Sequence, residues 1–358
     1  MYNDNDLEQA VAAGVLPRDA TDAFRHYIAE ERHFPRVDEE HYKILDGSSD
    51  AFVAFGSVLL MLGLGYIGYT LNHVAAGLAV SVAAWGLAEF FVRVRKLALT
   101  GILLSFAFFG GVLATLGLGL YATSPDWGAK GYGGAGAVIF VLGAGAMWLF
   151  WKRFAPPIAV SFAALSVALA VMALVVALLG GDNVFALGHL AYPVALVCGL
   201  GVFAYAMWWD LSDPNRVTER HEVAFWIHGV AGGLIAQSIF YLIGTTGTFM
   251  MFVSTGQVVT LALVFVLFAV VALVIDRRAL LFSSAVPLVF ALMSTLAQAG
   301  AYQTALGWAA LFVGIVLLAL SAGWHTMRAA IMPMLGEIAD RLPPAGPAIE
   351  RPYEDIPE

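Results

Sequence analysis

Residues 98–122, ALTGILLSFAFFGGVLATLGLGLYA, form a stretch of 25 residues without a charged side chain. A helix needs about 20 apolar residues to cross the hydrocarbon core of a bilayer, which is about 30 Å thick. Because lipid offers no hydrogen bonds to the backbone, a segment that crosses it alone must form a helix. This stretch therefore predicts a membrane-spanning α-helix.

Further apolar segments lie on both sides of this stretch. Each is long enough to form one more spanning helix, and short polar links separate them. The ten predicted spans are residues 51–71, 73–91, 98–122, 133–151, 157–180, 184–208, 223–246, 250–275, 279–298 and 301–323. The predicted fold class is all-α, an integral membrane bundle of about ten transmembrane helices.

The composition agrees with a membrane protein. Of the 358 residues, 60% are hydrophobic and 12% are charged, about half the charged share of a soluble domain. The net charge of −8 disfavours nucleic acid as a partner, and the lipid bilayer is the expected partner instead. Cys198 is the single cysteine, so an intrachain disulfide is excluded.

The basic residues indicate how the chain is oriented. Lys130 is the one basic residue in the links that follow odd-numbered spans. The links after even-numbered spans hold nine, namely Arg93, Arg95, Lys96, Lys152, Arg153, Arg216, Arg220, Arg277 and Arg278. Since positively charged loops remain in the cytoplasm, the sequence predicts a bacterial inner (plasma) membrane protein with both termini cytoplasmic. A missed helix would disturb this alternation, so it also supports the number ten.

The terminal segments are polar. Residues 1–50 predict a small cytoplasmic helical hairpin and an acidic linker, with Gly14 as the C-cap of the first helix and Pro17 at the start of the second. The transmembrane domain follows at 51–323. Residues 324–358 predict a cytoplasmic amphipathic segment and a disordered, acidic, proline-rich tail. The hairpin offers a docking surface for a protein partner.

Ionisable residues at membrane depth are functional candidates. We expect Glu89 to be the one carboxylate within a span, and His228 lies at a similar depth in the seventh span. Together they predict a polar site near the cytoplasmic face. The alternative is that Glu89 forms an interfacial ion pair with Arg93, four residues later on the same helix.

Four more polar side chains line a predicted pathway or a helix-packing surface. Gln237 lies near the middle of the seventh span, where Gly229 and Gly233 form a GxxxG pattern. Such glycines admit a neighbouring helix, to which Gln237 would then hydrogen-bond. The four candidates are Gln237, Tyr241, His189 and Tyr192.

Three segments resemble bacterial predicted polytopic membrane proteins of unknown function. They are residues 50–60 (DAFVAFGSVLL), 212–235 (SDPNRVTERHEVAFWIHGVAGGLI) and 323–344 (GWHTMRAAIMPMLGEIADRLPP). The resemblance, which includes the short helical pair before the spans, implies a membrane location. It implies no activity and no functional residues.

The absence of several catalytic and cofactor-binding motifs narrows the range of possible functions. The sequence has no H-E-x-x-H, P-loop, G-x-S-x-G or cysteine cluster, so it predicts no catalytic, cofactor or metal site. Paired histidines (His73 with His189, His228 with His325) are poor haem candidates, because each pair includes a residue at a helix end. Scarce interior charge favours a transporter or channel-like protein for a neutral, amphiphilic or lipid-like substrate. A non-catalytic sensor or assembly factor that acts through the hairpin is the alternative, and an integral-membrane enzyme is third.

Overall fold

The computed structural model describes residues 7, 10–24, 48–123, 127–180, 188–212, 220–243 and 254–342. Within these ranges every regular element is helical. Ten helices are long and apolar enough to cross a membrane, as predicted. The chain is a polytopic membrane protein.

The bounds of the helices follow the predicted spans closely. The ten are α1 (Ser48–Leu71), α2 (His73–Phe91), α3 (Ala98–Thr123), α4 (Ala129–Phe154), α5 (Pro157–Leu179), α6 (Gly188–Leu211), α7 (Arg220–Leu242), α8 (Thr255–Ile275), α9 (Ala279–Leu296) and α10 (Ala305–Ala322). A π-helical segment, Ala297–Ala301, extends α9, and Gly300 ends it with a φ of 96°. After α10 come α11 (Trp324–Ile331) and a 3-10 segment, Met332–Arg341.

Several helices extend beyond their predicted spans at polar ends. Helix α4 begins at Ala129, where residue 133 was predicted, and α7 begins at Arg220, where residue 223 was predicted. Helix α6 ends at Leu211, three residues beyond the predicted end. Hydropathy detects the part of a helix that lies in lipid, so helical turns that carry charges escape it.

Sharp turns hold consecutive helices side by side. Lys96, Ala155 and Asp276 adopt left-handed backbone conformations, with φ of 53°, 55° and 57°. Ala155 and Asp276 are the C-caps of α4 and α8, the position at which a left-handed residue commonly ends a helix, and Lys96 lies in the turn between α2 and α3. Even-numbered helices therefore finish where odd-numbered helices begin, and we name this side of the bundle the charged end.

Aromatic side chains fill the core between α2, α3, α4 and α5. Trp85 packs against Phe154 with ring centroids 5.0 Å apart, and Phe108 stacks on Phe150 at 4.9 Å. These contacts favour close helix packing because aromatic pairs bury large areas. In the second half of the chain, α7 and α9 are the most buried of the described spans, each with half of its most apolar segment buried. They form the centre of that half.

The described residues divide into two compact units. Residues 48–324 belong to the larger one, while residues 10–24 belong with His325–Asp340 to the smaller one. In the smaller unit Gly14 has a φ of 71°, the left-handed conformation expected of a C-cap, and the Thr21 N–H donates to the Pro17 carbonyl at 3.1 Å. Most of the predicted hairpin, the linker at 38–47 and the tail from 343 onward lie outside the described residues.

Candidate functional site

A buried ion pair joins α6 to the turn between α8 and α9. Asp210 is the second-last residue of α6, and Arg277 lies in that turn. The Arg277 Nε donates to Asp210 Oδ2 at 3.1 Å, and the Nη2 donates to Oδ1. Two parallel bonds of this kind fix both side chains in one geometry. The Arg277 residue is 1% exposed and Asp210 is 6% exposed, so the pair has almost no water around it.

The imidazole of His228, on α7, completes this cluster. Its Nε2 lies 2.7 Å from Asp210 Oδ2, and the residue is fully buried. Because an ionised carboxylate can only accept hydrogen bonds, the Nε2 carries the proton that is shared with Asp210. The other ring nitrogen, Nδ1, is buried and has no hydrogen-bond partner within the described ranges. Asp210, His228 and Arg277 are called the buried cluster below.

The register of the α6–α7 hairpin explains how the buried cluster forms. Asp210 lies at the very end of α6, whereas His228 lies more than two turns into α7. The hydrogen bond between them shows that α7 begins well beyond the end of α6 on the charged end. Helix α6 therefore stops early, and its terminal carboxylate comes level with a residue inside α7.

The two residues that flank Arg277 attach the same turn to the start of α11. The Trp324 Nε1 donates to Asp276 Oδ1 at 2.7 Å, and the Arg278 guanidinium lies 5.2 Å from the centre of the Trp324 ring. The first contact satisfies a buried indole and the second is a cation–π interaction. Three consecutive residues of one turn thus join α8 and α9 to α6 and to the segment that follows α10.

Helices α7 and α9 approach each other at Gly232. A Cβ atom there would lie 2.7 Å from Ser283 Oγ and 3.1 Å from Leu280 Cδ2, so a larger residue would require these side chains to move. The predicted glycine contact is displaced: added Cβ atoms at Gly229 and Gly233 would meet no atom within 4 Å. Helical periodicity identified the right helix, but the close contact with α9 is at Gly232, and Gly229 lines an open space beside α9.

An open cleft lies between the same two helices, beside the buried cluster. It has a volume of about 350 Å³ and is lined by Phe225, Trp226, Gly229, Ala279, Phe282 and Ser283. Across it, the Ser283 hydroxyl donates to the Gly229 carbonyl at 3.3 Å. The lining contains no charged side chain. Small-molecule pockets usually have volumes of this order, apolar walls and few polar groups.

Glu89 belongs to a different cluster, so the predicted pair of Glu89 with His228 is not formed. Its carboxylate accepts from Arg93 at 3.3 Å and from Arg153 at 2.7 and 3.0 Å. The first contact is the interfacial ion pair that was the alternative expectation. The contact with Arg153 joins α2 to α4, and the sequence alone does not show that these two helices are neighbours. Glu89, Arg93 and Arg153 are called the surface cluster below.

The other four candidates lie away from the buried cluster. Tyr192 stacks on Tyr241 at 4.0 Å, and His189 meets the edge of Tyr241 at 5.8 Å. The three rings pair α6 with α7 toward the opposite end of the bundle. Gln237 is exposed and makes no hydrogen bond with the described residues, so it does not form the predicted bond across a helix contact.

Sequence reasoning missed several buried charges, among them Asp210, Asp50 and Arg277. Asp210 and Asp50 were placed outside the spans, and Arg277 was counted as a loop charge. Asp50 lies in α1 and accepts hydrogen bonds from the backbone N–H groups of Leu99 at 2.9 Å and Thr100 at 3.0 Å. Glu89 is therefore not the one carboxylate within the helices. The sequence contains one signal that could have identified the two aspartates as buried: each lies within two residues of a long apolar segment.

The residues that the structure describes contain no group of three or more metal-ligating side chains. Comparison of the chain with protein-family models, curated proteins and solved structures finds no match.

Proposed function

We propose that this chain is an inner-membrane transporter or channel-like protein for a neutral, amphiphilic or lipid-like molecule. The α7–α9 cleft is its binding site. One observation carries this proposal: an apolar cleft of about 350 Å³ lies in the spans directly beside a buried cluster of charged side chains. A groove of this kind offers apolar surface to a hydrocarbon chain and polar groups to a head.

The lining sets the chemistry of the substrate. Its walls are formed mainly by Phe225, Trp226 and Phe282, which suit an acyl chain or a ring. The polar atoms are the Ser283 hydroxyl and the Gly229 carbonyl. Because the hydroxyl already donates to the carbonyl, both oxygens are left as acceptors and suit a hydroxyl group on the ligand. A fully charged head would need a partner that this lining does not supply. The favoured substrate therefore has a neutral head.

The buried cluster positions the walls of the cleft. His228 precedes Gly229 on α7, and Arg277 lies two residues before Ala279 on α9. Since both polar side chains bind Asp210 of α6, they fix the charged-end portions of α7 and α9 against one helix. Breaking the cluster should therefore alter ligand binding as well as stability.

Photo-crosslinking tests the binding site. A diacylglycerol with a diazirine on one acyl chain should label the peptides that contain residues 225–229 and 279–283 in the purified full-length protein. Gly229→Leu fills the cleft from its floor and should reduce labelling at least about tenfold, since a bulky side chain replaces the space for the ligand. Gly233→Leu is the matched control, because it lies one turn further along α7, outside the lining, with open space around it.

Proteoliposomes test transport itself. A fluorescent diacylglycerol analogue should equilibrate across the bilayer faster with wild type and Gly233→Leu than with Gly229→Leu. Labelling without faster equilibration would reduce the proposal to binding alone. Labelling spread evenly over all ten helices, with no effect of Gly229→Leu, would contradict it.

The orientation is part of the proposal and rests on the distribution of basic residues. Single cysteines, introduced in a Cys198→Ser background, should react with a membrane-impermeant maleimide from outside the cell at position 130. Positions 95, 153, 218 and 350 should react only after lysis. Labelling of position 218 from outside would contradict the ten-helix orientation.

One structural observation favours the sensor or assembly-factor alternative. The described N-terminal residues and His325–Asp340 form a compact unit of their own, which offers a surface for a protein partner. Deleting residues 1–46 separates the two functions. Loss of a stoichiometric partner with unchanged diacylglycerol labelling would favour the alternative, whereas loss of labelling would favour a role in transport.

A further inference from the structure

A patch of exposed cations lies on the charged end of α2 and α4. Its members are Arg93, Arg95, Lys96, Lys152 and Arg153. The Glu89 carboxylate binds both Arg93 and Arg153, so the turn after α2 lies next to the end of α4. Two segments that are about 60 residues apart in sequence thus form one surface.

The net charge of the patch is positive even when the nearby negative charges are subtracted. Glu89 contributes one negative charge, and the C-termini of α2 and α4 contribute roughly half a charge each. Five cations therefore leave a net charge of about +3. Arg95 and Lys96 have no ion-pair partner among the described residues, and the Lys152 Nζ lies 5.5 Å from the centre of the Trp148 ring.

The backbone that carries these cations is fixed. Leu97 is buried, and its N–H donates to the Phe91 carbonyl at 3.0 Å. The carboxylate of Asp50 then caps the first N–H groups of α3. At the other segment, the left-handed Ala155 donates to the Trp151 carbonyl at 2.7 Å and ends α4 abruptly. An anion that binds between the two turns would not have to order either of them.

Apolar side chains among the cations place the patch at the membrane surface. Phe90, Val94 and Trp148 are exposed, and they lie within one turn of the basic residues. Indole rings concentrate where hydrocarbon meets the headgroups. The cations on the same turns therefore lie at the level of the lipid phosphates.

We propose that this patch is a binding site for an anionic phospholipid, with the headgroup phosphate between the two turns and the acyl chains along the exposed apolar residues. Arginine matches the oxygens of a phosphate with two parallel hydrogen bonds, and lysine adds a compact charge. The site is independent of the α7–α9 cleft, whose lining carries no charge.

Native mass spectrometry of the full-length protein in a non-ionic detergent tests the site. Titration should show tighter binding of phosphatidylglycerol than of phosphatidylcholine. The double variant Arg95→Gln/Lys96→Gln should weaken phosphatidylglycerol about 30-fold and leave phosphatidylcholine unchanged, because each cation near an anionic headgroup is worth about fivefold in affinity. A second variant, Arg95→Gln/Lys152→Gln, leaves the left-handed Lys96 untouched and should lose a similar factor.

Arg216→Gln/Arg220→Gln is the matched control, since it removes one cation from the link between α6 and α7 and one from the first residue of α7. This control variant should bind phosphatidylglycerol as tightly as the wild-type protein does. An equal loss in this control would overturn the proposal, because net charge alone would then attract the lipid. Equal affinity for both lipids in wild type would overturn it too, as would glycerol 3-phosphate that binds as tightly as phosphatidylglycerol.

Discussion

The two clusters at the charged end contain the same chemistry in different surroundings. Each has one carboxylate and two basic partners. In the surface cluster the side chains are 34–52% exposed, whereas in the buried cluster they are 0–7% exposed. Exposed ion pairs contribute little to stability because water competes for both charges. Buried charges have lost that water, so removing one partner leaves the others uncompensated.

The largest expected effect follows the loss of Arg277. Arg277→Met leaves the Asp210 carboxylate buried without its cation and should lower the free energy of unfolding by about 3–5 kcal/mol. Denaturant titration in detergent micelles measures this change. Arg153→Met is the matched control in the surface cluster and should produce no measurable change. Similar losses in both variants would contradict the difference between the clusters.

Loss of Asp50 should rank second. Asp50→Ala removes the carboxylate that accepts from the N–H groups of Leu99 and Thr100 and from the Thr100 hydroxyl, and should cost about 2 kcal/mol. Asp50→Asn retains one carbonyl oxygen and should cost less, because that oxygen still accepts a bond. Equal stability of the alanine variant and wild type would show that water satisfies this end of α3.

Replacing His228 tests the third member of the buried cluster. His228→Leu removes a hydrogen bond to a charged acceptor and should cost about 1.5 kcal/mol. His228→Gln places an amide N–H near the position of the imidazole Nε2 and should recover part of the loss. A glutamine variant that is no more stable than the leucine variant would mean that His228 contributes by packing alone.

The smallest effect belongs to Glu89. Glu89→Gln keeps the size of the side chain and removes a charge that water already screens, so thermal unfolding should match that of wild type. A large loss of stability would mean that the bridge from α2 to α4 contributes more than its exposure indicates.

The sequence was sufficient to predict features set by local composition. Ten spans follow from apolar segments and from the alternation of basic links, and both depend only on neighbouring residues. The Glu89–Arg93 pair follows from helical periodicity, and the left-handed Gly14 follows from helix-capping preferences. Each of these features is decided within a few residues of the chain.

The buried cluster depends on information that the sequence does not contain. Asp210 was placed outside the membrane because hydropathy ended the sixth span at residue 208. Its depth is set by the register of α6 against α7, and Arg277 reaches it from 67 residues away. Gly232 was missed for a related reason, since packing across the whole bundle decides which residue of α7 lies closest to α9.

Paired double-mutant cycles test the difference between the clusters most directly. For Asp210→Asn with Arg277→Met, the double variant should be more stable than the sum of the single changes predicts, by about 2–3 kcal/mol, because each single change leaves a buried partner unsatisfied. For Glu89→Gln with Arg153→Gln, the changes should be additive within error. Additive behaviour in the first cycle, or equal coupling in both, would contradict a buried, coupled cluster beside the α7–α9 cleft.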